Sequence, residues 1–218
     1  MAGCGVFINS LFYRHPPKFS GRYCPPSSGN FTHVTLRCRA PSNLVCSALP
    51  SSSSNIDAPP EGYRKNVGIC LINPSKKIFA ASRLHLIPGA WQMPQGGIDD
   101  DEDPRNAAVR ELREETGVTS AELLAEVPYW LTYDFPLELK ERINRQWGAW
   151  KGQAQKWYLF KFTGKEEEIN LLGDGSEKPE FGEWSWISPE QVLELAVDFK
   201  KPLYEQVLKA FSPYLLVD

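Results

Sequence analysis

Residues 96–118 read Gly96-Gly97-Ile98-Asp99-Asp100-Asp101-Glu102-Asp103-Pro104-Arg105-Asn106-Ala107-Ala108-Val109-Arg110-Glu111-Leu112-Arg113-Glu114-Glu115-Thr116-Gly117-Val118. This is the pattern of a loop, a helix and a second loop. Asp103 offers a capping carboxylate, Pro104 suits a first helical position, and Gly117 suits the left-handed residue that ends a helix. At about 100° per residue, Glu114 falls about 60° to one side of Glu111 and Glu115 about 40° to the other. Three carboxylates therefore share one face of a helix predicted over 104–116. Ala108, Leu112 and Val109 are expected on the flank that meets a core. Like charges at this spacing cost a helix about 0.2–0.5 kcal/mol per pair, and without a counter-charge their pKa values rise. A hard divalent cation relieves the conflict, because it prefers oxygen ligands. A cost that small does not by itself exclude a solvated acidic face, so the neighbours decide. Gly96-Gly97 permits close backbone approach beside the helix start. Arg110 can hold a carboxylate through two parallel N–H bonds, and Glu102 lies within its reach.

Outward from this helix, strand and helix signals interleave. Asn66-Val67-Gly68-Ile69-Cys70-Leu71-Ile72 is a β-rich run closed by Asn73-Pro74, which predicts a buried strand. Pro74-Ser75-Lys76-Lys77 is a turn, and Ile78 to Ser82 returns as its hairpin partner. Glu122–Tyr133, Gln155–Phe162 and the alternating Trp184-Ser185-Trp186-Ile187 are further strands, with both tryptophans expected in the core. Ser188-Pro189-Glu190-Gln191 is a capped helix start. Pro202 opens a last helix with Leu203, Val207 and Ala210/Phe211 on one face. The segment from Asp134 to Gly152 is mixed, a loop or a short helix. The expected fold class is α/β, a mixed sheet layered between helices.

Charge divides the 218-residue chain in two. Residues 1–56 hold no acid and five of the 24 Lys+Arg residues, leaving 19 against 27 acids for residues 57–218, or +5 and −8. Ten serines and scattered prolines and arginines give residues 1–56 the composition of an organelle transit peptide. The absence of an amphipathic Arg helix leans to the plastid, with the mitochondrion as the alternative. Residues 57–218 are expected to be the one folded domain. An acidic body argues against a generic nucleic-acid surface. No run of about 18 apolar residues occurs, so no membrane-spanning helix is expected. Cys70 is the only cysteine of the body, too few for an internal disulfide or a paired zinc site, and it is read as core filler.

The stretch 96–118 resembles the Nudix box, G-x5-E-x7-R-E-U-x-E-E-x-G-U with U aliphatic. Gly96, Glu102, Arg110, Glu111, Leu112, Glu114, Glu115, Gly117 and Val118 occupy every constrained position. The resemblance implies an α/β/α sandwich around a mixed sheet and a hydrolase of diphosphate linkages that uses Mg²⁺ or Mn²⁺. By matching positions it implies Glu111, Glu114 and Glu115 as metal carriers, Glu102 and Arg110 as a structural pair, and the carbonyl of Gln95 as a further ligand. Either Glu114 or Glu115, before Glu111, is expected as general base.

The likeness runs from about Gly62 to the C-terminus, through Gly62-Tyr63-Arg64-x-x-Val67-Gly68, Trp91-Gln92-Met93-Pro94-Gln95-Gly96-Gly97, Gly152-Gln153-Ala154-Gln155-Lys156-Trp157 and Pro179-Glu180-Phe181. These motifs look like the plant asymmetrical dinucleoside polyphosphate hydrolases and the bacterial RNA pyrophosphohydrolases. On that basis Glu180 is expected as a fourth metal carboxylate, Tyr133 and Phe181 as stacking surfaces for a base, and Arg64, Arg83 and Lys156 as phosphate contacts. The leading expectation is hydrolysis of diadenosine tetra- or pentaphosphate, with guanosine tetraphosphate as a related substrate. The alternatives are removal of pyrophosphate from an RNA 5′ end and a catalytically silent nucleotide-binding module. The expected partner is a small nucleotide, with RNA only as a 5′-end substrate and no membrane; the oligomeric state stays open.

Overall fold

The computed structural model describes residues 58–84, 90–141, 149–172, 175 and 178–216. The leader assigned to residues 1–56, and all of its cysteines, lie outside these. A mixed sheet carries the fold. Its strands are β1 (Tyr63–Ile72), β2 (Ile78–Arg83), β3 (Trp91–Gln92), β4 (Gln95–Gly97), β5 (Ala121–Glu126), β6 (Leu131–Asp134), β7 (Gly152–Phe162) and β8 (Phe181–Ile187). The path runs β3-β2-β1-β7-β5, with β4 on β1, β6 on β7 and β8 on β2. Among the described residues only β1 and β7 pair in parallel, in unbroken register from Tyr63↔Gly152 to Ile72↔Lys161. Among the described residues, the helices α1 (Pro104–Thr116), α2 (Pro189–Leu195) and α3 (Lys201–Leu215) flank it, and 137–141 is helical as well.

Strand alternation sorts the core into two halves. Val67, Ile69 and Leu71 of β1 and Tyr158, Phe160 and Phe162 of β7 pack with Ala107, Ala108 and Leu112 of α1. Cys70 and Ile72, with Trp157 and Leu159, face Leu203, Tyr204, Val207, Leu208 and Phe211 of α3. The layers are thus α1, sheet, and α2 with α3. Burial pushes the Cys70 thiol up to about 12, which fits an inert core filler. No described helix is long and apolar enough to cross a membrane.

The helix ends follow the sequence rules. The Asp103 carboxylate accepts from the backbone N–H of Arg105 at 3.0 Å and of Asn106 at 3.2 Å. Gly117 closes α1 at φ 72°, in the left-handed region that glycine enters without strain. Ser188 and Gln191 form the reciprocal capping box of α2.

Four expectations are corrected. Val109 is 52 % exposed, and Ala107 takes the core position assigned to it; Val109 lies two residues from Ala107, about 200° around the helix. The strand expected over 122–133 is two strands, β5 and β6, separated by residues 127–130. On α3, Ala210 is exposed while Tyr204 and Leu208 join the buried face. Trp184 and Trp186 are only partly buried, and both lie against Phe79 near the surface.

Candidate active site

The site forms where α1 crosses the β4–β1 edge. Gly96, in β4, leaves the space that Glu111 occupies: a Cβ there would sit 1.9 Å from the Glu111 carboxyl carbon. Gln95 donates its backbone N–H to Glu115 Oε2 at 2.9 Å, so the strand and the helix meet through an acid. Glu111 and Glu115 are buried, at 7 % and 8 % exposure. Burial, and then repulsion from Glu180 and from Glu111, hold the Glu115 carboxyl well above the usual carboxylate range. Carboxylates from α1 and from the start of β8 are therefore close enough to oppose one another's ionisation.

Arg110 gathers the acids. Its Nε and Nη2 take both oxygens of Glu102 at 2.7 and 2.6 Å, and Nη2 also donates to the Gly97 carbonyl at 2.9 Å. Its Nη1 donates to Glu111 Oε1 at 2.7 Å and to Glu114 Oε2 at 3.0 Å. Burial opposes the charge, but the bonds to Glu102 and Glu111 outweigh it and raise the guanidinium pKa above its ordinary value. Arg83, buried beside the Phe181 ring, pairs with Glu180. The acids thus turn toward arginines, and among the described residues no three acid, His or Cys side chains gather into a group able to hold a metal as they stand.

The donor set nonetheless suits a hard divalent cation: buried carboxylate oxygens whose mutual repulsion a cation would relieve, beside a backbone strand. Glu111, Glu114, Glu115, Glu180 and the Gln95 carbonyl are the residues that would hold it. Glu102 holds Arg110 through Nε and Nη2, and the Nη1 bonds to Glu111 and Glu114 are separate from that pair.

The remaining candidates fall in two places. The Arg64 guanidinium lies against Gly97, 2.6 Å from where a Cβ would stand, on the sheet face that carries Gln95 and Gln153. Lys156 projects on the other face, donates to the Pro128 carbonyl at 3.2 Å and lies 5.3 Å from the Trp130 ring centre. Tyr133 and Phe181, expected as stacking surfaces, are placed in the core at 7 % and 2 % exposure. Phe181, past the register shift between Ser82 and Arg83, packs in the core half that holds Phe79, and Tyr133 lies among Phe135, Phe199 and Lys200 with its hydroxyl donating to Gln153 Oε1 at 2.8 Å.

A buried polar cluster behind Gln95 had escaped the sequence. Gln155 Nε2 bonds Asn66 Oδ1 at 2.6 Å, Gln153 Oε1 at 3.2 Å and Gln95 Oε1 at 3.3 Å. Lys200, 4 % exposed, donates to Gln95 Oε1 at 2.7 Å and Gln92 Oε1 at 3.0 Å. Burial, and then Arg83, push its ammonium down to about 7, against the pull of Glu115 and Glu180. The alternate glutamines of Gln153-Ala154-Gln155 were the available signal: a strand that buries every second polar side chain has to bond them to one another.

A loop-helix-loop whose Arg110 gathers the glutamates, on an α/β/α sandwich, is the arrangement the Nudix resemblance implies. The family of the NUDIX domain matches residues 62–207, and the chain belongs to it. It is a Nudix hydrolase, with pyrophosphohydrolase activity. Nudix hydrolases use divalent metal ions in general.

Among its relatives, Nudix hydrolase 26, chloroplastic, of Arabidopsis thaliana is 64 % identical over 190 residues, 87 % of this chain and 85 % of that protein. An RNA pyrophosphohydrolase of Dinoroseobacter shibae is 49 % identical over 155 residues, 70 % of this chain and 94 % of that protein. The solved dihydroneopterin triphosphate pyrophosphohydrolase of E. coli shares the fold at TM-score 0.54 and 15 % identity, covering 68 % of this chain and 98 % of that one.

Proposed function

We propose that this chain hydrolyses dinucleoside polyphosphates, diadenosine tetra- or pentaphosphate first and guanosine tetraphosphate as a related substrate. It does so in the plastid, with Mg²⁺ or Mn²⁺. The observation that carries the reading is the meeting of the α1 carboxylates with a cationic cluster of buried glutamines. Glu115 accepts from Gln95 N–H, and Lys200 approaches Gln95 from the opposite side. Arg64 near Gly97 and Arg83 at Glu180 add positive charge, which suits a polyphosphate whose negative charge repels an incoming water.

When bound, a divalent ion neutralises phosphate charge and lowers the pKa of a water. The chain's own work is to hold and orient. Arg110 and Glu102 fix α1 against β4. Glu111, Glu114, Glu115 and Glu180 supply oxygens on a rigid scaffold. Glu114 or Glu115 takes the proton from the attacking water, and the arginines draw the chain of phosphates into the cleft. The complete glutamate set and the hydrolase family set aside the silent-module alternative.

Removal of pyrophosphate from an RNA 5′ end is the second reading. It is favoured by the 49 % identity to a protein of that name and opposed by the acidic body, since a polymer gains affinity from many phosphate contacts. Plastid location draws support from the chloroplastic relative at 64 % identity and from the composition of residues 1–56. The test is parallel kinetics on diadenosine tetraphosphate, guanosine tetraphosphate and 5′-triphosphorylated RNA with each metal. Higher kcat/KM on the dinucleotide supports the reading, and a preference for RNA by orders of magnitude overturns it.

A further inference from the structure

We propose that Lys200 is a positioning residue that clamps the Gln95 side chain and so sets the Gln95 peptide against Glu115. Lys200 ends the short 3₁₀ turn Asp198–Lys200, far in sequence from the Nudix box. Its Nζ bonds the side-chain oxygens of Gln92 and Gln95, one on each side of the Met93-Pro94 corner between β3 and β4. The ammonium also lies 5.6 Å from the centre of the Tyr133 ring, a cation–π contact. Two amide oxygens and an aromatic face occupy its surroundings, with no carboxylate bonded to it. From Lys200 the path to the catalytic helix has two hydrogen bonds: Nζ to Gln95 Oε1, then Gln95 N–H to Glu115 Oε2.

The arrangement is unfavourable to the fold in two ways, which makes packing alone a poor reason for it. An ammonium at 4 % exposure has lost its water. As it only donates, it forces both glutamine oxygens toward itself. That turns the Gln92 amide nitrogen away, and Gln92 Nε2 is a buried side-chain atom with no hydrogen-bond partner. What the arrangement secures is a single orientation of Gln95. Gln155 Nε2 donates to the same Gln95 oxygen, so the Gln95 amide is held by two donors in one direction.

The clamp rests on the reading of the α1 glutamates as a metal site, so the test separates the two. In metal-free protein, amide hydrogen exchange at Gln95 is compared in wild type and Lys200→Met. At least tenfold faster exchange at Gln95, with the Ile72 amide unchanged, is expected. Unchanged exchange at Gln95 overturns the clamp whatever the metal does. Mn²⁺ binding is then followed by the electron paramagnetic resonance of the free ion. Wild type is expected to bind, and Lys200→Met to bind about tenfold more weakly, as when a ligand's support is removed. Lack of wild-type binding overturns the metal reading alone. At saturating Mn²⁺, kcat is expected to fall with KM changed less than about twofold. A raised KM with unaltered Mn²⁺ affinity makes Lys200 a substrate contact and overturns the proposal. Gln95→Leu removes the same acceptor, so it is expected to weaken Mn²⁺ equally, and the double variant no further; multiplying losses overturn it. Should Lys200→Met not fold, Gln95→Leu carries the Mn²⁺ and KM measurements by itself.

Discussion

Gly96→Ala tests the fit between β4 and α1 most sharply. The added Cβ would stand 1.9 Å from Glu111 Cδ, 2.0 Å from Oε2 and 2.3 Å from Oε1. Ordinary contact begins at 3.4 Å, so the carboxyl carbon has to retreat by about 1.5 Å or the strand has to lift from the helix. Glu111 is the end of a flexible side chain, so the cheaper response is for it to swing away, which also releases its 2.7 Å bond to Arg110. Overpacking of this kind costs about 1–3 kcal/mol, and the flexible neighbour puts Gly96→Ala near 1 kcal/mol, or roughly 2–4 °C in Tm. Activity suffers more. A catalytic group misplaced by about 1 Å lowers rate on the order of 10²-fold. The assay is formation of mononucleotide products from diadenosine tetraphosphate at saturating Mn²⁺, beside a thermal melt. A near-normal kcat would mean that Glu111 has no required place beside β4, and a loss of Tm far above 4 °C would mean that the strand and not the side chain had moved.

Three further outcomes follow from the same geometry. Glu115→Gln is expected to lower kcat by orders of magnitude. The Glu115 carboxyl pKa is raised by burial and by Glu180 and Glu111, so the folded metal-free protein holds that proton more tightly than the unfolded chain. Stability is therefore lost as pH rises from the ordinary carboxylate range toward the raised value, and metal-free Glu115→Gln is expected to melt above wild type at pH 8 and level with it at pH 4; parallel melting curves check this. Arg110→Lys loses the paired hydrogen bonds to Glu102, and with side-chain exposures of 18 % and 17 % the damage approaches that of a broken buried pair, roughly 3 kcal/mol, measured by urea unfolding. Lys156→Ala removes the contact with Trp130, worth about 0.5–1 kcal/mol at a half-exposed site. A raised KM would place Lys156 at the phosphates, and a KM within twofold of wild type would leave it to Trp130.

The helix α1 was legible because its signals are local. Asp103, Pro104 and Gly117 act on neighbouring backbone, and the spacing of Glu111, Glu114 and Glu115 follows from the helical period alone. The layering was legible because strand and helix signals interleave along the chain. The polar cluster was not, because its members lie far apart in the chain. Asn66, Gln92, Gln95, Gln155 and Lys200 come from β1, β3, β4, β7 and the turn before α3, and nothing near Lys200 in sequence says that two glutamine oxygens await it. Tyr133 and Phe181 are ambiguous for the converse reason. An aromatic residue in a motif reads equally as a base platform or as core, and the choice depends on which face of its strand is covered.

Glu111 and Glu114 are expected to exchange Arg110 Nη1 for a divalent ion. An anomalous-difference map from a crystal soaked in Mn²⁺ tests it directly. The account expects a peak bounded by Glu111, Glu115 and the Gln95 carbonyl, with Glu111 and Glu114 released from Arg110 Nη1 and Glu102 still bound to Nε and Nη2. Density elsewhere, with Arg110 still holding all three glutamates, would contradict it.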